Sequence, residues 1–225
     1  MSRQRHFPRF TREEHGLAGD DRLESPTFLR NAPPIIATLS AYLRDRTGPV
    51  LEIGAGTGQH AAAFALAFPS IDWIASDPLA THRDSIEAWA KALLDAPRAP
   101  IALDAAGDWS RLPEVAALGP LTGIYAGNVT HIAPWAVTEG VLTGAAAALA
   151  PSGRLFLYGP FREGDEFFGD GNRRFDQALR ADDPHWGLRD IDALRLAARA
   201  RHLRLETVHP MPANNHLLVF RRSSS

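Results

Sequence analysis

The chain has 225 residues, 45% of them hydrophobic and 22% charged, which suits one domain able to bury a core without covalent staples. It has no cysteine, which excludes disulfides, thiolate metal sites and a cysteine nucleophile, and its 24 basic and 26 acidic residues leave a formal charge of -2, without the basic excess usual in a nucleic-acid binder. No apolar run approaches the roughly 20 residues that cross a bilayer, and residues 1–25 lack a secretory leader's apolar stretch, so the sequence reads as cytoplasmic with no membrane partner.

Residues 1–24 are charged and show little hydrophobic periodicity, which predicts a mobile arm. Ser25-Pro26 is a helix-start signal, and Ile35, Ile36, Leu39, Tyr42 and Leu43 follow at helical spacing. Strands are then predicted at 50–53, 71–75, 101–103, 124–126 and 154–158, with helices at 60–68, 85–94, 112–118 and 135–150 between them. Residues 161–190 read as an irregular polar insertion holding one helix near 175–179, which fits a substrate cap. A helix at 191–200 precedes two strands, 203–208 and 216–220, separated by a Pro-Met-Pro turn. Strands alternating with helices make a parallel sheet covered on both faces. The last two strands, with no helix between them, must pair antiparallel. The predicted fold is α/β: a doubly wound, seven-stranded, mostly parallel, Rossmann-like sheet ending in an antiparallel hairpin, within one domain over 25–225.

The sharpest motif is Leu51-Glu52-Ile53-Gly54-Ala55-Gly56-Thr57-Gly58-Gln59-His60. Gly54, Gly56 and Gly58 follow a strand and open a helix, so the backbone turns tightly beside uncapped N–H groups that suit a carboxylate or phosphate. A dinucleotide fingerprint counted from Gly54 fails at Gln59, while counted from Gly56 it passes at Ala61, so a nicotinamide cofactor stays open. Glu52, expected to face the ligand crevice, would repel a pyrophosphate but attract an ammonium, as in S-adenosyl-L-methionine. Asp77 ends the second strand, where an acid holds ribose hydroxyls. Asp104 ends the third and is placed to accept from an adenine amino group.

These residues resemble the class I S-adenosylmethionine-dependent methyltransferases. A narrower resemblance rests on Gly58-Gln59-His60-Ala61, on Asn128 with His131-Ile132-Ala133-Pro134-Trp135, and on Leu157-Tyr158-Gly159-Pro160-Phe161. Asp183-Pro184 with Trp186-Gly187-Leu188-Arg189-Asp190, and Met211-Pro212-Ala213-Asn214-Asn215, belong to it too. Together they are similar to the DUF938 family, the methyltransferase-like 26 group. The resemblance implies a class I fold, with Glu52, Gly54, Gly56, Gly58, Asp77 and Asp104 holding S-adenosyl-L-methionine. It also implies that the fourth and fifth strand ends border the methyl group. There Asn128 would orient the acceptor, His131 would act as base and Tyr158 would hydrogen-bond. Arg30, Asn31 and Trp135 are candidates for substrate contact. Gly127-Asn128-Val129-Thr130 replaces the Asn-Pro-Pro-Tyr type of motif, which argues against amide or adenine-amine methylation. No histidine spacing suggests a metal. The expected partner is a small molecule or an exposed side chain. The rival readings are a nicotinamide-dependent oxidoreductase and a non-catalytic cofactor-binding module.

Overall fold

Val50, Leu51 and Ile53 are all buried, so β1 (Gly48–Ile53) is apolar on both sides and needs helices on both. The computed structural model, which describes residues 10–16 and 20–223, meets that need. β1 pairs in parallel with β2 (Ile71–Ser76) on one side and β3 (Leu121–Gly127) on the other. β3 pairs in parallel with β4 (Leu149–Glu163). Two short strands, β5 (Glu166–Phe167) and β6 (Arg189–Asp190), pair with the far end of β4. β7 (Leu203–Met211) and β8 (Asn215–Arg222) form the antiparallel hairpin, with β8 against β4. The order along the sheet is β2-β1-β3-β4-β8-β7.

The helices are α1 (Arg12–His15), α2 (Phe28–Leu43), α3 (Gln59–Ala67), α4 (Ala80–Leu93), α5 (Pro113–Ala116), α6 (Trp135–Ala148), α7 (Asp170–Asp182) and α8 (Ile191–Arg199). One face of the sheet packs Leu51, Ile53 and Ile124 against Val141 and Leu142 of α6 and Leu194 of α8. The other packs Val50, Trp73 and Tyr125 against Ile35 and Leu39 of α2 and Phe64 of α3. The period of two along a strand divides the core in this way.

The expected third strand, 101–103, shrinks to a single bridge between Ser76 and Ile101. Ile101 donates to Ala75 O and accepts from Asp77 N, but Pro100 before it has no N–H to extend the ladder. The helix expected at 112–118 is a single 3-10 turn, Trp109–Arg111, followed by the four residues of α5. The insertion is more regular than its polarity suggests: α7 runs for 13 residues, with β5 and β6 on either side.

Within the predicted arm, residues 1–9 and 17–19 lie outside the described residues. The remainder packs on the domain. Leu23 is 1% exposed, its N–H bonds Ser85 Oγ at 2.8 Å, and its carbonyl accepts from Trp89 Nε1 at 2.9 Å. One buried leucine and backbone bonds carry no periodicity, so pattern reading passes over them.

Candidate cofactor and acceptor site

The C-terminal ends of β2, β1, β3 and β4 and the start of β8 share one edge of the sheet, and a cavity of about 690 Å³ lies along it. An open α/β sheet is expected to bind its ligand there. The glycine loop forms the floor. Gly54, Gly56 and Gly58 have φ of 69°, 57° and 84°, a region that side chains rarely adopt. Space imposes a second demand at two of them: a Cβ on Gly54 would lie 2.7 Å from Val129 Cγ2, and one on Gly58 would lie 2.6 Å from Ile86 Cα. Gly58 is the N-cap of α3 and no side chain caps that helix, so its first-turn N–H groups are donors for an anion.

Asp77 is 4% exposed and lines the cavity. Its Oδ2 accepts from Gly56 N at 3.0 Å, and its Oδ1 accepts from Leu79 N at 2.9 Å and pairs with His82 Nδ1 at 3.1 Å. His82 Nε2 accepts from the backbone N–H of Phe10 at 3.3 Å. That places the ring proton on Nδ1, where it donates to Asp77. Three donors leave the carboxylate room for one more. Phe10 also lines the cavity, its ring 3.4 Å from where a Cβ on Gly56 would sit. Asp104 lines the same end, beside the apolar Leu103, Val129 and Val137.

Asn128, His131, Arg30 and Asn31 of the predicted residues also line the cavity. Asn128 has φ 56° and donates its N–H to Tyr158 O at 2.8 Å. His131 is 3% exposed, its Nδ1 has no hydrogen-bond partner, and burial, with Arg189 nearby, pushes its pKa down to about 3. Arg189 grips the turn that carries it, donating to Thr130 O at 2.8 Å and also to Ala133 O. Gly159 makes room beside this pair, since a Cβ there would lie 3.3 Å from His131 Nδ1 and 3.4 Å from Asn128 Oδ1. The neutral imidazole is therefore an acceptor at pH 7, not a cation.

Three predicted residues are placed otherwise. Glu52 does not line the cavity. It is 3% exposed on the α2–α3 side of the sheet, with Oε2 accepting from Trp73 Nε1 at 2.7 Å. Strand alternation puts it with Val50, while its neighbours Leu51 and Ile53 take the other face. Trp135 packs against the core beneath the Arg189 guanidinium, 5.7 Å from its ring centroid, and is outside the cavity lining. Tyr158 stands behind the wall. Burial raises its pKa to about 12, its hydroxyl makes no hydrogen bond, and Arg30 and Asn215 are its polar neighbours. Sequence reasoning assigned no role to Phe10, His60, His82, Asn172, Phe175, Asn214 or Asn215, all of which line the cavity. The Asn214-Asn215 pair carried a signal, because asparagine tolerates positive φ.

Burial raises the Glu52 carboxyl from 4.5 to about 7, against the Trp73 bond, which lowers it, and with Asp77 adding to the rise. The folded state therefore holds a proton that the unfolded chain loses between about pH 4.5 and 7, and this stabilisation disappears as pH rises. Burial lowers His131 to about 3 and His60 to about 4, with the opposite sign: stability is gained as pH rises from there toward 6.5. Replacing Glu52 with glutamine removes only the first slope. E52Q is expected to gain on the order of 3 kcal/mol relative to wild type between pH 4.5 and pH 8. Thermal unfolding at both pH values measures this, and an equal difference at the two would refute it.

The model of the family described as "Protein of unknown function (DUF938)" matches residues 22–222. The chain belongs to this family. The DUF938 chain is also similar to solved structures. With the mitomycin 7-O-methyltransferase MmcR it shares 18% identity over 88% of this chain and 54% of that one, with a TM-score of 0.71. With an O-methyltransferase family protein from Burkholderia thailandensis it shares 18% over 88% and 58%, at 0.73. With CalO1, a methyltransferase in calicheamicin biosynthesis, in its SAH-bound form, it shares 16% over 84% and 54%, at 0.63. These likenesses show a common α/β fold with a mostly parallel sheet and antiparallel C-terminal strands. The DUF938 chain spans little more than half the length of each of those structures. Among its described residues, no helix is long and apolar enough to cross a membrane.

Proposed function

We propose that this DUF938 protein is an S-adenosyl-L-methionine-dependent methyltransferase acting on a small molecule, of the methyltransferase-like 26 kind. One observation carries the reading: Asp77, the uncapped start of α3 and Asp104 with its apolar neighbours border a single cavity in the order a nucleoside amino acid requires. Leu103, Val129 and Val137 fit the adenine faces and Asp104 its amino group. Asp77 fits a ribose hydroxyl, and the α3 N–H groups fit the carboxylate. The names of the aligned structures, methyltransferases of small molecules with one holding the spent cofactor, support the same reading.

Bound there, S-adenosyl-L-methionine supplies an electrophilic methyl group on a sulfonium. The chain's own part is to align an acceptor against that methyl group. Asn128 orients the acceptor through its amide. The unpartnered, neutral His131 accepts a hydrogen bond from the acceptor's hydroxyl or amine. α7 brings Asn172 and Phe175 to the cavity wall.

Parallel calorimetric titrations with S-adenosylhomocysteine and NADH test the proposal, and tight binding of NADH alone would hand it to the oxidoreductase reading. Labelled cofactor incubated with cell extract, followed by mass identification of the labelled product, then names the acceptor. Against that acceptor, H131A is expected to lower the rate about 100-fold with S-adenosylhomocysteine affinity nearly unchanged. An unaltered rate removes His131 from the reaction.

A further inference from the structure

We propose that the end of the cavity over β4 and β8 is built for a small carboxylic acid, anchored by the Arg30 guanidinium. This rests on the methyltransferase reading and specifies the acceptor it takes.

The sheet itself orders the groups. Asp77 follows β2, the glycine loop follows β1, Asn128 follows β3, Gly159 and Pro160 lie in β4, and Asn215, paired with Pro160, begins β8. Strands lie about 4.8 Å apart, so three steps separate the glycine loop from Asn215. Arg30, in the first turn of α2, neighbours Tyr158 of β4, whose hydroxyl also faces Asn215. The guanidinium therefore neighbours the β4–β8 side of the cavity, while the start of α2 also meets the start of α3, where the Phe28 ring lies 5.1 Å from that of His60 and Ser25 N–H donates to Gln59 Oε1.

Charge then selects the ligand. The acidic residues lining the cavity are Asp77 and Asp104, both at the far end. Arg30 uses Nε on Asn31 Oδ1 at 3.0 Å, and among the described residues its two terminal nitrogens have no partner. His60 and His131, which also line the cavity, are kept neutral by burial. One guanidinium with two free nitrogens matches a carboxylate in charge and in fork geometry, whereas a phosphate dianion would keep an uncompensated charge.

Four asparagines, Asn128, Asn172, Asn214 and Asn215, share the remaining wall with Pro160 and Phe175. Asn172 Nδ2 donates to Asn214 O at 3.0 Å, and Asn215 Nδ2 donates to Pro212 O at 3.1 Å, tying α7 and the 212–214 turn into one rim. Asn128, Ala213 and Asn214 have φ of 56°, 58° and 56°, and all three line this cavity. Asparagine tolerates this left-handed backbone, so the strain falls on Ala213. An amide rim suits the hydroxyl or amine of a small polar molecule, with the acid end on Arg30 and the nucleophile toward His131.

The test uses the full chain saturated with S-adenosylhomocysteine, with ligand-observed NMR as the readout. The probes are lactate, salicylate and 4-hydroxybenzoate, each beside its primary amide, with inorganic phosphate as the dianion. The acids are expected to bind at least about tenfold tighter than the amides, and R30Q to erase that preference while weakening S-adenosylhomocysteine far less. The proposal is overturned by equal binding of acids and amides, a preference that survives R30Q, tighter binding of phosphate, or no acid binding. It is also overturned if R30Q weakens S-adenosylhomocysteine as much as the acids, which would assign Arg30 to the cofactor. Failure of wild type to bind S-adenosylhomocysteine would instead strike the cofactor reading, and the acid–amide comparison on the ligand-free chain would still decide the role of Arg30.

Discussion

Asp77→Ala is expected to weaken S-adenosylhomocysteine binding by at least about tenfold, through loss of a charge-assisted bond to a ribose hydroxyl. The same substitution strips acceptors from Gly56 N–H, Leu79 N–H and His82, each within 3.1 Å of the carboxylate. A buried donor left without a partner costs about 1–3 kcal/mol, so the fold should lose about 2–4 kcal/mol as well. Asp77→Asn separates the two effects. Its single carbonyl oxygen keeps the shape and part of the internal bonding, so stability should recover more than affinity does. Calorimetry on both variants, paired with thermal unfolding, measures this. Unchanged affinity in the alanine variant would remove Asp77 from the site and leave it a purely structural tie between the glycine loop and α4.

Gly140→Ala should disturb the nucleoside end from α6, one turn beyond the Val137 that lines it. Gly140 lies in α6, where a Cβ would overlap the carbonyl oxygen of Ala105 and stand 3.1 Å from Ala106 Cα. Its own carbonyl accepts from Trp109 Nε1 at 3.0 Å, so the helix cannot simply rotate away. Alanine gains about 1 kcal/mol in helix propensity over glycine. Backbone overlap in a packed interior costs about 1–3 kcal/mol or more, and here both colliding groups are main chain, so the clash outweighs the propensity. The expected result is a midpoint several degrees lower and a several-fold loss of S-adenosylhomocysteine affinity, because Ala105 follows Asp104 in the loop that must shift. Affinity at the wild-type level, with stability lost, would show that the 104–106 loop does not contact the nucleoside.

Much of the architecture was legible without coordinates. β1, β2, β3 and the core of β4 are short apolar runs bounded by turn residues, the pattern of a strand buried on both faces. The glycine loop was legible because positive φ and close approach admit little else there. The place of Asp77 at the cavity was legible because it directly follows β2, beside that loop, at the edge the strand ends share. The expected third strand was misjudged for a local reason: three apolar residues after Pro100 meet a partner at one position only. Glu52 was misjudged for a subtler one. Its spacing from the loop says it is near, but alternation along β1 decides its face, and the face it takes already has a partner in Trp73.

The acceptor end was the least legible part. Arg30 and Asn31 were singled out from the chain's start, yet their neighbours Asn172, Asn214 and Asn215 come from segments that carry no periodic signal. Asn172 and Asn214 are 42 residues apart and meet only when α7 folds against the turn before β8. The chain alone determined that alternating strands and helices would close into a twisted sheet with one glycine-floored edge, because each of those elements is specified by residues within a few positions of one another. Which side chains share that edge was decided by the tertiary structure. Strand alternation turns Glu52 away, the insertion carries Asn172 and Phe175 in, and a returning antiparallel strand delivers Asn215. Those juxtapositions depend on contacts between distant segments, which no local pattern encodes.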